Sequence, residues 1–279
     1  MWGAPVDGCR VRAVPLAPHE RHPVRGPERR KVPPPVPTLR IVGPGRAGLS
    51  LADALSGAGW QVATPVGRGD DPSGAADGVD LCVVATPDAA IAEVAAAVCP
   101  GPAVVAHLAG SLGIDVLGGH HRRAALHPLA TLPDRATGAA TLRAGVWWAV
   151  EGDSLAYRVV ADLGGRILEP GERAAYHATA CVAANHTVAL VAQIERLAEA
   201  NGLPAAPFYE LAATALANAR DRGAIQALTG PAARGDGTTI ARHLAALPVG
   251  ERDLYLALAR AAASVSGRQL AHVEGASCS

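Results

Sequence analysis

The hydrophobic positions fall into two regimes that change over near Pro170. Between 38 and 170, short apolar runs alternate with stretches of helical spacing. The first run, 39–42, leads into Gly43-Pro44-Gly45-Arg46-Ala47-Gly48, after which Leu49, Leu51, Ala52 and Leu55 recur along one helix face. This predicts a strand over 39–42 and a helix over about 46–58. Further strands are predicted over 61–66, 80–85, 103–107, 123–126, 146–150 and 166–168. The run at 80–85 is apolar after its first residue, as expected of a parallel strand buried on both faces. Thr86-Pro87-Asp88 opens a helix, with Pro87 and Asp88 suited to its first turn. A short helix follows Gly110-Ser111, and another spans about 154–163. Repeated strand–helix units with short connections specify an α/β fold, a Rossmann-type doubly wound parallel sheet.

After Pro170 the strand pattern stops. Residues 172–200 read as one long helix closed by Asn201-Gly202, and helices near 204–220, 236–247 and 251–266 follow. The first of these is apolar on most of its faces and needs cover on most of them. Four helices supply too little, so an all-helical C-terminal domain shared between two copies in a homodimer is expected. The stretch 174–194 carries His177, Asn185, His186 and Gln193, too polar a set for a membrane span. At the other end, residues 1–37 finish in Val32-Pro33-Pro34-Pro35-Val36-Pro37, and prolines at that density block helix and sheet pairing. The expected organisation is therefore a disordered tail over 1–37, a nucleotide-binding domain over 38–170 and a helical dimerisation and substrate domain over 171–279.

Composition narrows the function. The chain is 49% hydrophobic, and its formal net charge is zero, which argues against a dedicated nucleic-acid binder. Its 5 cysteines are far apart and form no C-x-x-C pair, the usage of a reduced cytoplasmic protein. No secretory signal is read at the start of the chain, and no membrane partner is expected. No Cys/His cluster has metal-ligand spacing, so no metal is expected. Lys31 is the only lysine, so none is offered by residues 38–279 as a general acid or base.

The candidate chemistry starts at the glycine motif. A strand before it and a helix after it are the context in which G-x-G-x-x-G binds a dinucleotide. Gly43 allows the tight turn, Gly45 leaves room for a pyrophosphate, and Gly48 lets helix and strand approach. Pro44, Arg46 and Ala47 complete the loop. An NAD site wants a carboxylate near the end of the second strand, but that region reads Val62-Ala63-Thr64-Pro65-Val66-Gly67-Arg68. Thr64 and Arg68, with Arg46, instead suit a 2′-phosphate, which favours NADP. A nicotinamide would lie over the carboxyl ends of the strands, beside Thr86 and Pro87 after strand three and Gly110 and Ser111 after strand four. Ser111 either bonds substrate or nicotinamide or caps the next helix. His127 follows strand five and titrates near neutral pH as an isolated side chain, which suits a proton donor beside a hydride acceptor.

Several spaced segments carry a resemblance. They include 41–48, Ala85-Thr86-Pro87-Asp88, 107–113, Leu126-His127-Pro128-Leu129, Tyr176-His177, Ala184-Asn185-His186 and 228–236. Together they resemble Rossmann-like proteins with a C-terminal domain of unknown function 2520, within the 6-phosphogluconate-dehydrogenase-like group. The resemblance covers about 38–267 and implies an NADP-linked oxidoreductase with a helical dimerisation domain. His127-Pro128-Leu129 is similar to the H-P-M-x-G segment of prephenate dehydrogenases, although Thr131 stands at its last position. The related β-hydroxyacid dehydrogenases place K-x-x-x-N on the helix comparable to 172–200. Here Cys181 replaces the lysine and Asn185 keeps the asparagine, which implies a role for Asn185 in orienting a substrate carbonyl. The expected function is a cytoplasmic reductase moving hydride between NADPH and a small carbonyl or imine compound, a 2-keto acid for example, with His127, Asn185 and Ser111 at its centre. The alternatives are a non-catalytic NADP-sensing protein and a prephenate-like dehydrogenase.

Overall fold

The computed structural model describes residues 35–270, so most of the expected N-terminal tail lies outside the described residues. Strand β1 (Thr38–Val42) runs into helix α1 (Arg46–Gly57), followed by β2 (Gln61–Val62) and β3 (Leu81–Val84). A 3₁₀ turn leads into α2 (Ile91–Ala97), then β4 (Val104–His107), a second 3₁₀ turn and β5 (Arg123–Pro128). Helix α3 (Arg135–Arg143), β6 (Trp147–Gly152), α4 (Ser154–Asp162) and β7 (Arg166–Leu168) complete the sheet region. The helical part holds α5 (Arg173–Cys181), a π-helical turn (Val182–His186), α6 (Thr187–Ala200), α7 (Ala206–Arg222), α8 (Ala224–Ala227), α9 (Pro231–Arg234), α10 (Gly237–Ala246) and α11 (Val249–Val265).

The sheet has seven strands in the order β2-β1-β3-β4-β5-β6-β7. Strands β1 to β5 are parallel, as the sequence implies, but β6 pairs antiparallel with β5 through His127↔Ala149 and Pro128↔Trp148. The doubly wound sheet is therefore mostly parallel rather than wholly so. Hydrophobic periodicity fixes which residues are buried and leaves strand direction open. Residue alternation divides the core between the two faces. Leu81 and Val83 join Leu51, Leu55, Leu142 and Trp148 on one face, while Cys82 and Val84 join Ile91, Val98 and Leu117 on the other.

Two local differences have plain causes. Strand β2 is shorter than its hydrophobic run, because Pro65 has no N–H for a ladder; only an isolated bridge from Val42 to Val66 continues it. Helix α3 is absent from the sequence reading, having few apolar residues and a central glycine. It is started by Asp134, whose carboxylate accepts from the Thr137 N–H at 2.8 Å. Gly138 lets it lie against Ser50 of α1, where any Cβ would collide with the serine side chain.

Candidate functional site

The first part of the site is made by backbone. Gly43 leaves β1 with φ +88°, a conformation open to glycine, and its N–H donates to the Val66 carbonyl at 2.9 Å. A Cβ on Gly48 would stand 2.8 Å from Ile41 Cγ2 and 2.9 Å from Ala85 Cβ, so α1 packs against the sheet only because that Cβ is missing. Gly45 has no atom within 4 Å of where its Cβ would be: it faces open space at the start of α1. No side chain caps this helix and no acidic residue occupies its first turn, so its N–H groups and positive dipole end remain for an anion.

Gly43 and Gly45, but not Gly48, border a cleft of about 500 Å³, walled also by Pro44, Arg68, Asp70, Thr86 and Pro87. Thr86 Oγ1 is buried there without a hydrogen-bond partner, a hydroxyl left for a ligand. Arg68, Thr86 and Pro87 are thus brought together with the glycine loop. Thr64, Arg46 and Ala47 are not on that wall; Arg46 turns its guanidinium towards the Pro133 carbonyl at 3.4 Å. Asp70 is a wall residue that the sequence reading did not assign, because it lies beyond the usual position at the strand end. Its carboxylate accepts from the Gly67 N–H at 2.7 Å. The residues present fit a dinucleotide: an open glycine turn, an uncapped helix start, an arginine and an unpaired hydroxyl.

A second cavity, of about 380 Å³, lies between the end of β5 and the α5–α6 helix, with His127, Thr131, His177, Cys181 and Asn185 on its wall. The helix widens into a π turn over Val182–His186, the kind of insertion that often marks functional sites. In an unbroken α-helix, eight residues at 3.6 per turn would set Asn185 about 80° away from His177. The wide turn adds slack where it is needed, and His177, Cys181 and Asn185 all reach the cavity. His186 does not reach its wall.

The loop after β4 reaches towards both cleft and cavity. Ser111 donates to Asp88 at 3.0 Å, directly after Thr86-Pro87, while Gly113 takes the cap position of the next turn. Ser111 is therefore tied to the loop that follows β3. At Gly110 a Cβ would stand 2.9 Å from His127 Nε2 and would strike the His177 ring, so only glycine allows this loop to close on both histidines.

His127 Nδ1 lies 2.7 Å from the Tyr176 hydroxyl, and its ring is edge-on to both Tyr176 and His177 with centroids 5.6 Å apart. Burial, then the proximity of His177 and Arg173, push the His127 pKa down to about 4. His127 is therefore neutral throughout at pH 7, where an isolated histidine side chain is still about a quarter protonated. Burial raises the Tyr176 phenol above its ordinary value, with Arg173 acting in the opposite direction. Burial pushes the pKa of His107 down as well, with the Gly113 carbonyl, 3.2 Å from Nε2, acting in the opposite direction, and its Nδ1 accepts from the Ala109 N–H at 3.2 Å. Among the described residues no three His, Cys, Asp or Glu side chains converge as metal ligands, and no helix is long and apolar enough to cross a membrane.

The sheet order and the helices after it define a Rossmann-type α/β fold joined to a helical region. Residues 146–262 match the family model described as a domain of unknown function, DUF2520; the match begins beside β6 and continues into α11. No curated protein is similar enough in sequence to count as a relative. Among solved structures, a Bacteroides fragilis protein assigned provisionally as an NADP oxidoreductase superposes with TM-score 0.70 at 20% identity, covering 82% of this chain and 98% of its own. A Thermotoga maritima protein gives TM-score 0.60 at 22% identity, with the same 82% and 98% coverage. Plasmodium falciparum pyrroline carboxylate reductase with NADP bound gives 0.53 at 13% identity over 82% of this chain and 98% of the reductase. At these identities the likeness establishes the fold.

Proposed function

We propose that the chain is an NADP-dependent oxidoreductase that transfers hydride between NADPH and a small carbonyl or imine compound, a 2-keto acid for example. The observation that carries this is the loop after β4, which through Ser111 bonds Asp88, next to Thr86 and Pro87 of the glycine cleft, and through Gly110 closes on His127 and His177 of the second cavity. NADPH, when bound, supplies the hydride. Gly43, Gly45 and the start of α1 receive the phosphates, and Arg68 selects the 2′-phosphate. Thr86 offers its unpaired hydroxyl and Pro87 shapes the wall. Ser111 and Asn185 orient the substrate. With Tyr176 donating to Nδ1, the neutral ring carries its hydrogen on Nε2, the atom that faces Gly110. Tyr176 and His127 then act as one proton-donating pair, which needs no lysine. Two fold neighbours bear names of NADP oxidoreductases, which supports the same reading. The enzyme works as a cytoplasmic homodimer joined through its helical region.

The alternative is a non-catalytic NADP-binding protein, favoured by the lack of any lysine beyond Lys31. Calorimetric titration with NADPH and NADH, on the wild type and Arg68→Ala, comes first. Tight NADPH binding that weakens in Arg68→Ala supports the site, and binding of neither nucleotide removes the oxidoreductase reading. NADPH oxidation against a panel of carbonyl compounds then separates enzyme from sensor. His127→Ala is expected to lower turnover at least 100-fold, the order general acid catalysis supplies, with NADPH binding kept.

A further inference from the structure

Arg173 breaks three local rules at once. It is a cation in the first turn of α5, at the helix end where anions are favoured. Its side chain is only 11% exposed. Its Nε and Nη2 both donate to a single oxygen of Glu151, at 3.1 and 2.9 Å, while Nη1 is buried without a partner. A guanidinium cannot relieve such burial by losing its proton, and an unpaired donor on a buried cation is costly. Other arginines of the chain are better satisfied. Arg122 grips both oxygens of Asp153 at 2.9 and 3.0 Å and also reaches the Pro102 carbonyl at 3.1 Å. Arg40 reaches three backbone carbonyls. Arg173 lacks the two-oxygen fork that its geometry favours with a carboxylate.

The surroundings give that incomplete pair a purpose. Arg173 lines a polar cleft of about 440 Å³ together with Gly113, Glu151, Gly152, Tyr157 and Glu169. The Glu151 side chain is 43% exposed, free to turn into solvent. On α5, Tyr176 and His177 follow Arg173 by three and four residues, the spacing of one helix face. The Gly110–Gly113 loop borders both places: Gly110 closes on the histidines and Gly113 walls the cleft.

We propose that Arg173 is the subsite for a substrate carboxylate, held by Glu151 in the free protein and taken over by the incoming acid. The substrate class is a small acid whose carbonyl or imine lies next to its carboxylate. The word substrate rests on the reductase reading above; the binding site does not.

The test uses the full chain with pyruvate and 2-oxoisovalerate as probes, and their methyl esters as neutral controls, measured by calorimetry or ligand-observed NMR. Both acids are expected to bind at least ten times more tightly than their esters. Arg173→Gln, with folding checked by circular dichroism, should weaken acid binding at least tenfold. Glu151→Gln removes the resident competitor and should strengthen it several-fold, an effect that a merely structural ion pair does not predict. Equal binding of acid and ester, no binding of either acid, or full acid affinity in Arg173→Gln overturns the proposal. Should Arg173→Gln fail to fold, Glu151→Gln decides, and unchanged or weaker acid binding overturns it. NADPH binding is titrated separately, so carboxylate binding without nucleotide binding would sink the reductase and leave the subsite standing.

Discussion

His127 shows how far a residue's surroundings can move its chemistry. In the unfolded chain it titrates near 6.5, and in the folded protein burial and its neighbours push it down to about 4. Between these values the unfolded chain binds more protons, so stability rises with pH there and falls as the solution is acidified from 6.5 towards 4. At about 1.4 kcal/mol per pKa unit, the ceiling on this loss is about 3 kcal/mol. Denaturant titrations at pH 4, 5, 6.5 and 7.5 should show a shallower acid limb in His127→Gln than in the wild type. Parallel limbs would mean that His127 is not held neutral. Gly43→Ala tests the other half of the site: φ +88° and a Cβ 2.9 Å from Thr86 Cγ2 should cost about 1–3 kcal/mol and block nucleotide binding. Gly43 and Gly48 were legible in the sequence because each answers a local demand, a left-handed turn at the one and close helix–sheet packing at the other. Tyr176 and Arg173 were not assigned roles. Tyr176 meets a histidine 49 positions away, and Arg173 gains its meaning from burial against a strand that sequence spacing cannot place beside it.

The same division holds for elements. Periodicity located every strand of the sheet, the inner ones by their buried apolar runs and the edge strands β2 and β7 by shorter, exposed ones, but it missed α3 and the π turn. In α3, helix propensity and packing oppose one another at Gly138. Alanine there would gain about 1 kcal/mol of helix propensity. Its Cβ, however, would stand 2.8 Å from Ser50 Cβ and closer still to Ser50 Oγ, and overpacking of that kind costs about 1–3 kcal/mol. Gly138→Ala is expected to lower stability on balance, and Ser50→Gly in the same chain to restore part of it; a more stable single variant would show that α1 and α3 can separate freely. The π turn invites a deletion. Val182 is 56% exposed and lies off the cavity wall. Removing it lets α5 run into α6 as ordinary helix, with overall helicity kept and Asn185 presented at a different angle. Turnover should then fall as it does in Asn185→Ala, while NADPH still binds. Unchanged turnover would detach Asn185 from the reaction.

At the scale of the whole molecule, the two regions bury their apolar surface unequally. Both faces of the sheet are covered, with Leu81, Cys82, Val83 and Val84 all inaccessible to solvent. Helix α7 has no buried residue over 17 positions, although it carries Phe208, Tyr209, Leu211 and Leu216. Leu211 and Leu216 are 66% and 68% exposed, and Val188 on α6 is 64% exposed. Single exposed leucines are ordinary, but a run of them on neighbouring helices is the mark of an interface. The apolar character of this region was legible in the sequence; which face stays open was not, since that depends on how few helices pack around it. A stable dimer needs about 1,600 Å² of buried surface in total, which two helices per copy can provide. Sedimentation should therefore give a particle of twice the 28.2 kDa chain mass. Leu211→Asp with Leu216→Asp should yield a folded monomer: the sheet core and glycine cleft lie elsewhere, so NADPH affinity should stay within about threefold while association is lost. A wild-type monomer across micromolar concentrations would leave α7 without a partner of its own kind and remove the homodimer from the reading of this protein.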